Sequence, residues 1–289
     1  MSAIWGIAAP KIDDSTREAF DQMAAVMPFT ESSKLNSIIT DQIALGHSTI
    51  GTIHQKGFPL RCDNGDLIAI CGLPIWEKGN HKSNKLEDPE DDRWHDANLV
   101  RSSIRDERLA DLGGVYAFAE WQPELNKLLL GVDRLGFRGL YYYYDPLNEV
   151  LFFSSRLRGL SDVLLPSLDL NWDAIWEFLH FGYSLGNKTF YKQVNLVPPG
   201  SVLELSSAGL DIKQYWDVCS IDIDHSMSYQ DSLENNAIAL QSAVERRIDR
   251  CEDLKTILLL SGGTDSRRIA GELFRQNIDY ETFTTRGFS

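Results

Sequence analysis

The residues that could do chemistry are concentrated late in the chain, in the run SGGTDS from Ser261 to Ser266. Gly262 and Gly263 permit backbone conformations that other residues avoid, and they let a phosphate group approach main-chain amides. A helix beginning within this run, around Thr264, adds aligned N–H groups and partial positive charge. The hydroxyl groups of Ser261 and Ser266 can donate to phosphate oxygens. The pattern predicts a loop that binds the phosphate groups of a nucleotide.

Asp265 lies inside the same run and has a different predicted role. A carboxylate repels phosphate, whereas Mg²⁺ bound to a pyrophosphate is commonly held by one. We therefore expect Asp265 to bind Mg²⁺. No Gly-Lys-Ser/Thr sequence follows, so the run is not a Walker A loop. The alternative is purely structural: a glycine-rich turn in which Asp265 and Ser266 cap the next helix.

The elements that must position this loop are recognisable on both sides of it. KTILLLSGG is a continuous apolar run that ends in glycines, as is typical of a buried parallel strand. DSRRIAGELFRQ has a helical pattern, IDYETFTTRG begins a second strand, and SYQDSLENNAIALQSAVERRI is a long amphipathic helix upstream. Strand, turn, helix and strand predict a βαβ unit, so residues 229–289 are expected to begin an α/β domain.

The first 165 residues have a different pattern, with short apolar runs separated by turn residues. Such runs, about 8–12 residues apart, predict an antiparallel sheet with covered faces. Tyr141 to Tyr144 are predicted to alternate, two in the core and two outside. Helices are predicted over 15–27 and 98–109. The polar stretch 77–96, with His81 and His95 among carboxylates, is predicted to be a solvated loop instead of a metal site.

Residues 166–228 are predicted to be a bridging segment packed by aromatic side chains. Ile175, Phe178 and Leu179 recur at helical steps, which predicts a helix there. VNLVPPGSVLELSSAGLDIKQYWD then contains a Pro-Pro-Gly turn and a short hairpin. The whole chain is thus expected to be α+β followed by α/β.

The net charge narrows the range of partners. It is −14 at pH 7, with a sequence pI near 4.8, so nucleic acid and anionic membranes are not expected partners. The four cysteines, which fit no zinc or haem spacing, are predicted to be free and buried: Cys62, Cys71, Cys219 and Cys251. The N-terminus lacks a signal-peptide pattern, and no apolar run is long enough to cross a membrane. A cytoplasmic protein is expected.

Several of these motifs, in this order, resemble the asparagine synthetase B family. GVDRLGFRGLYYYY and LFFSSRLRGL resemble its DRxGxKPLYY…FASExKAL core, and GYSLGNKTFYKQVNLVPPGSVLEL…YWD resembles its GYxPxxxTxFxxIxxLPPGxxL…YWD segment. SGGTDS resembles the PP-loop of the ATP pyrophosphatases. The resemblance covers nearly the whole chain.

The resemblance implies two domains. Residues 1–165 are expected to form an Ntn-hydrolase-like αββα sandwich, the class II glutamine amidotransferase fold, and residues 229–289 the N-terminal part of a PP-loop domain. The implied activity is an ATP-dependent, amide-forming ligase with ATP and Mg²⁺. A small-molecule or peptide acyl group is adenylated and then attacked by ammonia or an amine. The family's β-lactam synthetases and lasso-peptide macrocyclases use an internal amine.

The first domain departs from the family pattern at the residues that hydrolyse glutamine. Ser2 stands where the family has its nucleophilic cysteine, and Cys71 and Gly72 stand at its Asn-Gly oxyanion pair. Gly113 stands at the position of a substrate-binding aspartate. The arginine that would hold the glutamine carboxylate is also absent from the sequence. The resemblance therefore implies an inactive glutaminase site.

Three functional hypotheses remain open on the sequence. The chain, or a longer protein that contains it, is a ligase of this family; or it is a truncated, inactive pseudoenzyme or partner-binding scaffold; or a companion chain supplies the remainder of the synthetase domain. The family's second Mg²⁺ ligand, pyrophosphate lysine and acyl pocket are expected beyond Ser289. A homodimer is a further expectation.

Overall fold

The computed structural model describes residues 2–52, 54, 56–77, 92–250 and 254–284. Contacts divide the chain into two compact units. The first contains the described residues up to Trp76 and from Asp92 to Ile221, and the second begins at Asp222. Most of the segment predicted to bridge two domains thus belongs to the first unit. Among the described residues, no helix is both long and apolar enough to cross a bilayer.

The first unit contains twelve strands and four α-helices. In chain order its strands are β1 (Ser2–Ala8), β2 (Lys34–Ile39), β3 (Ile43–Thr49), β4 (Leu60–Arg61), β5 (Leu67–Trp76), β6 (Leu112–Gln122), β7 (Lys127–Val132), β8 (Tyr141–Asp145), β9 (Val150–Ser154), β10 (Asn195–Leu196), β11 (Ser201–Ser206) and β12 (Gly209–Gln214). Its helices are α1 (Asp14–Ala25), α2 (Asp92–Arg105), α3 (Leu157–Leu164) and α4 (Trp172–Phe181).

The strands form two antiparallel sheets of six strands each. The first has the order β10-β8-β9-β1-β3-β2, and the second has the order β12-β11-β7-β6-β5-β4. The hairpin predicted in the bridging segment is β11–β12, and β11 pairs with β7. The predicted antiparallel architecture is confirmed.

Strand β1 shows how the layers are stacked, because all seven of its residues are buried. Ile4 and Ala8 face the core between the two sheets, while Ala3, Trp5 and Ile7 lie in a second core with α1 and α3. Helix α2 packs against β5 of the other sheet. A strand covered on both faces has no polar alternation, which explains the uniform apolar run. The unit is the expected αββα sandwich.

The solvated-loop prediction is wrong for residues 92–96. Helix α2 begins at Asp92, six residues before the predicted helix, and ends at Arg105. Asp96 is fully buried beside Ala97 and Val100 because its carboxylate has a buried partner, His54. His81 lies outside the described residues.

Two further predictions need correction. Tyr142 and Tyr144 pack against the core between the sheets, but Tyr141 and Tyr143 pack against the second core instead of facing solvent. The reason is that α3 covers that side of β8. Of the cysteines, Cys62 and Cys71 are free and buried as predicted, Cys219 is free but exposed, and Cys251 lies outside the described residues.

The second unit contains α5 (Tyr229–Arg250), β13 (Thr256–Leu259), α6 (Thr264–Arg275) and β14 (Tyr280–Phe283). Strands β13 and β14 are parallel, so the predicted βαβ order is confirmed. Leu258 is buried against Val244 of α5 and Leu273 of α6, whereas Ile257 and Leu259 are exposed. One face of this small sheet is covered within the unit.

Candidate functional site

The start of β1 meets the middle of β5 at a point that we call the Ser2 corner, formed by Ser2, Thr49, Cys71 and Gly72. Ser2 pairs with Thr49 on β3. The backbone N–H of Gly72 donates a hydrogen bond of 3.1 Å to the Ser2 hydroxyl. The structure therefore brings together three of the four residues singled out in the first domain.

Gly72 cannot be replaced by another residue without rearrangement. Its φ is +94°, in a region that L-residues rarely adopt. A Cβ atom added there would lie 2.0 Å from the carbonyl oxygen of Val115 on β6. The close approach of β6 therefore requires glycine, and the glycine holds its N–H in position beside Ser2.

The Cys71 side chain is buried and lies beside Ile4 and Ser155. Burial raises the pKa of its thiol, and the positive charge of Arg138 only partly opposes this effect. A buried thiol with a raised pKa stays protonated and is a poor nucleophile. The Cys71 side chain is thus packed and unreactive.

Gly113 lies farther along the same pair of strands. It is buried and pairs with Ile75, three positions beyond Gly72 on β5. At about 3.3 Å per residue, that separation is roughly 10 Å. With glycine there, the position offers no carboxylate to a substrate.

A buried polar pair between the segment after β3 and helix α2 was not predicted from the sequence. His54 Nε2 lies 2.6 Å from Asp96 Oδ2, and both side chains are almost completely buried. The pair connects the segment after β3 to helix α2. His54 has a φ of +55° and lies 42 positions from Asp96, so the only sequence signal was a histidine near a glycine-rich turn.

His47 lies two positions before Thr49 on β3, and it is not a general base. Burial, and then the nearby charge of His54, lowers the pKa of His47 to about 3. Its Nδ1 accepts the backbone N–H of Phe58 at 3.2 Å. A ring that stays neutral and uses its free lone pair internally holds the segment after β3 instead of accepting a proton from a substrate.

The Ser2 corner thus places a backbone N–H beside a serine hydroxyl, next to a buried thiol. An oxyanion donor must point at the position that a substrate oxygen will occupy. Here the Gly72 N–H is already bonded to the Ser2 hydroxyl. The arrangement suits a fixed structural contact.

The second candidate site is the loop from Ser261 to Ser266, which connects β13 to α6. Gly262 has a φ of +79°, and a Cβ atom added there would meet nothing within 4 Å. Gly263 is the N-cap of α6, and no side chain caps this helix end. The capping alternative is therefore not what the structure contains, and the first N–H groups of α6 are not satisfied by a side-chain cap.

The two serines of the loop are joined to each other. Their Oγ atoms lie 3.2 Å apart, and Ser266 Oγ donates to the Gly263 carbonyl oxygen at 3.2 Å. Thr264 and Asp265 stand in the exposed first turn of α6. The loop thus presents main-chain donors, hydroxyls and one carboxylate at an open helix N-terminus, which is the donor set that a phosphate with its cation requires.

A preformed metal cluster is not found in the described parts of the chain, where three or more His, Cys, Asp or Glu side chains nowhere converge. Mg²⁺ is usually held by one or two carboxylates together with phosphate oxygens and water. One carboxylate, that of Asp265, is enough for that mode of binding. Its role as a magnesium ligand remains a prediction.

Comparison with curated proteins identifies similar chains. Asparagine synthetase [glutamine-hydrolyzing] 3 of Bacillus subtilis is 30% identical over 238 residues, covering 78% of this chain and 38% of the relative. Amidase chyE of Penicillium rubens is 27% identical over 174 residues, covering 58% of this chain and 25% of the relative. The chain thus spans well under half the length of these relatives.

Among solved structures, the allosteric regulatory enzyme of purine biosynthesis is similar over 97% of this chain and 64% of its own, with 14% identity and a TM-score of 0.44. Residues 1–216 match the family described as glutamine amidotransferase domain. That match spans the sandwich and the β11–β12 hairpin. The chain therefore belongs to the glutamine amidotransferase domain family, and within it resembles the asparagine synthetases.

Proposed function

We propose that this protein belongs to an ATP-dependent, amide-forming ligase whose amidotransferase domain no longer hydrolyses glutamine. The observation that carries the proposal is the uncapped N-terminus of α6 behind the Ser261–Ser266 loop. An open glycine at Gly262 lets a phosphate approach these donors. We expect ATP and Mg²⁺ to bind there, as the resemblance of SGGTDS to a PP-loop implies.

The proposed chemistry has two steps. A carboxylate oxygen of the acyl substrate attacks the α-phosphorus of ATP, and pyrophosphate leaves. The nitrogen of ammonia or an amine then attacks the acyl carbon, and AMP leaves. In this chain the hydroxyls of Ser261 and Ser266 and the first N–H groups of α6 would bind the pyrophosphate, and Asp265 would hold its Mg²⁺.

The first unit is proposed to act as a scaffold. Its Ser2 corner has a hydroxyl already bonded to the Gly72 N–H, and Cys71 is buried. Ammonia would then come from solution, or an amine of the substrate would replace it. We further propose that the acyl site requires polypeptide beyond the residues described, either in the same protein or in a companion chain, and that the protein acts in the cytoplasm.

Direct binding tests the nucleotide proposal without requiring turnover. We expect titration calorimetry of the 289-residue chain to detect Mg²⁺–pyrophosphate binding. Asp265→Asn should weaken it at least about tenfold through loss of the metal ligand. Asp279→Asn, an equally exposed aspartate beyond α6, is the matched control. Equal affinity in the Asp265→Asn variant and the parent would refute the assignment.

A non-catalytic role is the second candidate, and the Ser2 corner favours it. A scaffold without nucleotide chemistry predicts no pyrophosphate binding and no ammonia release from glutamine. Ammonia release that a Ser2→Ala variant loses would contradict both candidates, because each assigns the first unit no hydrolytic activity.

A further inference from the structure

A cavity of about 450 Å³ opens at one end of the first unit, where its two sheets end. We call it the sheet-end cavity. Ala8 and Tyr144 reach it from the first sheet, and Trp121 and Leu205 reach it from the second. Ala8 is the last residue of β1 and Ser2 is the first, so at about 3.3 Å per residue they lie roughly 20 Å apart. The cavity is therefore separate from the Ser2 corner.

Two aromatic residues form part of the cavity wall. Trp121 is buried in the core between the two sheets, and Tyr144 and Leu205 are half-buried against that core. The core thus continues to the surface at this end of the unit. Aromatic rings in a cavity wall attract apolar groups, and they attract cations through the negative charge on their faces.

The charge of the cavity is negative. Glu149 is the one charged residue among the described residues that line it, and none of those residues is a lysine, an arginine or a histidine. Gln42 and Asn126 add side-chain amides, whose oxygens accept hydrogen bonds. Across the part of the chain that the structure describes, the Glu149 carboxylate forms no ion pair. An unpaired carboxylate in a wall without cations favours a positively charged ligand, and the net charge of −14 acts in the same direction.

Glu149 has a backbone conformation that glutamate rarely adopts. Its φ is +54°, in the left-handed region where glycine is favoured. The turn before it is held by Asp145, whose carboxylate accepts the backbone N–H groups of Leu147 and Asn148. The fold alone would be served better by glycine at this position. A charged side chain present in a disfavoured conformation indicates a role for that side chain other than in folding.

We propose that the sheet-end cavity binds a small organic ammonium ion that carries a flat apolar group. The Glu149 carboxylate pairs with the ammonium, and the amide oxygens of Gln42 and Asn126 accept its other N–H groups. Trp121 and Tyr144 contact the apolar group. The volume lies within the range of about 300–1,000 Å³ that is usual for small-molecule sites. The inference is independent of the nucleotide chemistry proposed for the second unit.

Titration calorimetry of the 289-residue chain with phenethylammonium tests the proposal. We expect a dissociation constant of about 1 mM or below. Hydrocinnamate has the same ring but a negative charge, and methylammonium has the charge without the ring. Each should bind at least about tenfold more weakly than phenethylammonium, because each lacks one of the two groups that the cavity contacts.

Two matched variants locate the binding site. Glu149→Gly removes the carboxylate and should weaken phenethylammonium binding at least about tenfold. Glu107→Gly makes the same change at another exposed glutamate with a φ of +55°, after α2 and outside the cavity, and should leave the affinity unaltered. Glycine adopts both φ values without strain, so both variants should unfold near the temperature of the parent protein.

Several results would overturn the proposal. Failure of the parent protein to bind phenethylammonium would show that the cavity is not such a site. Equally tight binding of hydrocinnamate would show that the carboxylate does not select the ligand, and equally tight binding of methylammonium would show that the aromatic wall does not. Equal losses of affinity in Glu149→Gly and Glu107→Gly would mean that the net charge of the protein attracts the ammonium ion, and not the cavity.

Discussion

The Ser2 corner and the Ser261–Ser266 loop both rely on a glycine with positive φ, but their surroundings are opposite. At Gly72 an added Cβ would lie 2.0 Å from a backbone oxygen of the neighbouring strand, and at Gly262 it would meet nothing within 4 Å. The first backbone is fixed by its close packing against the neighbouring strand. The backbone of the Ser261–Ser266 loop, in contrast, has free space around Gly262.

Replacing each of the two glycines by alanine tests most directly whether their surroundings differ in this way. Gly72→Ala should destabilise the first unit by at least ~3 kcal/mol, because strain at positive φ adds to a clash with fixed backbone. Gly262→Ala should cost about 1 kcal/mol, the conformational strain alone. All seven tryptophans lie in the first unit, so urea unfolding followed by tryptophan fluorescence reports that unit.

Far-UV circular dichroism reports both units, so a transition that it shows and tryptophan fluorescence does not show belongs to the second unit. Similar losses for the two alanine variants would mean that Val115 and its strand move aside easily. The claim that packing fixes the Ser2 corner would then be abandoned.

One ion pair from each unit should show the same difference in its contribution to the free energy of unfolding. Asp96 pairs with His54 at 2.6 Å in a fully buried position, while Lys255 and Glu281 pair at 2.6 Å with both side chains mostly exposed. Asp96→Ala should cost about 3 kcal/mol, since a buried polar ring loses this partner. Glu281→Ala should cause no measurable loss, because exposed ion pairs contribute little.

Chemical denaturation at neutral pH measures the loss of stability in both variants. Asp96→Asn preserves a hydrogen bond to His54, so its loss of stability should lie between those of Asp96→Ala and Glu281→Ala. A negligible loss in Asp96→Ala would show that this pair does not hold α2 against the segment after β3.

Acid should weaken the first unit through His47. The pKa of His47 is about 3 in the folded protein and 6.5 in the unfolded chain, so the unfolded state binds the additional proton between these values. Stability from this residue is complete above pH 6.5 and falls by about 1.4 kcal/mol per unit as the pH drops toward 3. Lowering the pH from 6.5 to 5 should therefore remove about 2 kcal/mol.

The measurement compares the pH dependence of unfolding in the parent and in His47→Gln, which cannot titrate. We expect the variant to be less stable at neutral pH but flatter against pH. Parallel curves for the two proteins would contradict the assignment to His47.

The smallest expected effect comes from restoring the nucleophile. Ser2→Cys should release no ammonia from glutamine, because in the proposed correspondence with the family site Cys71 and Gly113 still stand in place of its amide donor and its carboxylate clamp. A coupled ammonia assay at high enzyme concentration checks this expectation. Measurable turnover would mean that replacing the serine oxygen by sulfur is enough to give a glutaminase site, and that the remaining residues of the site are functional.

Much of the fold could be predicted from local patterns, but not all of it. The antiparallel sheet of the first 165 residues and the βαβ order of β13, α6 and β14 were predicted because periodicity and turn residues are local signals. Strand β2, with the sequence KLNSII, alternates weakly and was missed. Helix α2 was predicted to begin too late, because its first turn is polar and its burial depends on a distant histidine.

The candidate sites likewise differ in how far local sequence could predict them. The Ser261–Ser266 loop lies within six consecutive residues, so its conformation follows from its own sequence and the strand and helix beside it. The pair of His54 and Asp96 joins residues 42 positions apart, and no local pattern reports such a contact. The equal packing of Tyr141 and Tyr142 on opposite faces likewise depended on where α3 lies.

The sequence by itself determined the antiparallel sheet of the first 165 residues, the βαβ order of the second unit and the family resemblance, since these depend on neighbours along the chain. Only the tertiary structure decided that the Gly72 N–H is bonded to Ser2 and that Asp96 is buried beside His54. Burial and hydrogen bonding depend on what other segments bring to the same place. Those segments meet only when the two sheets close over a common core.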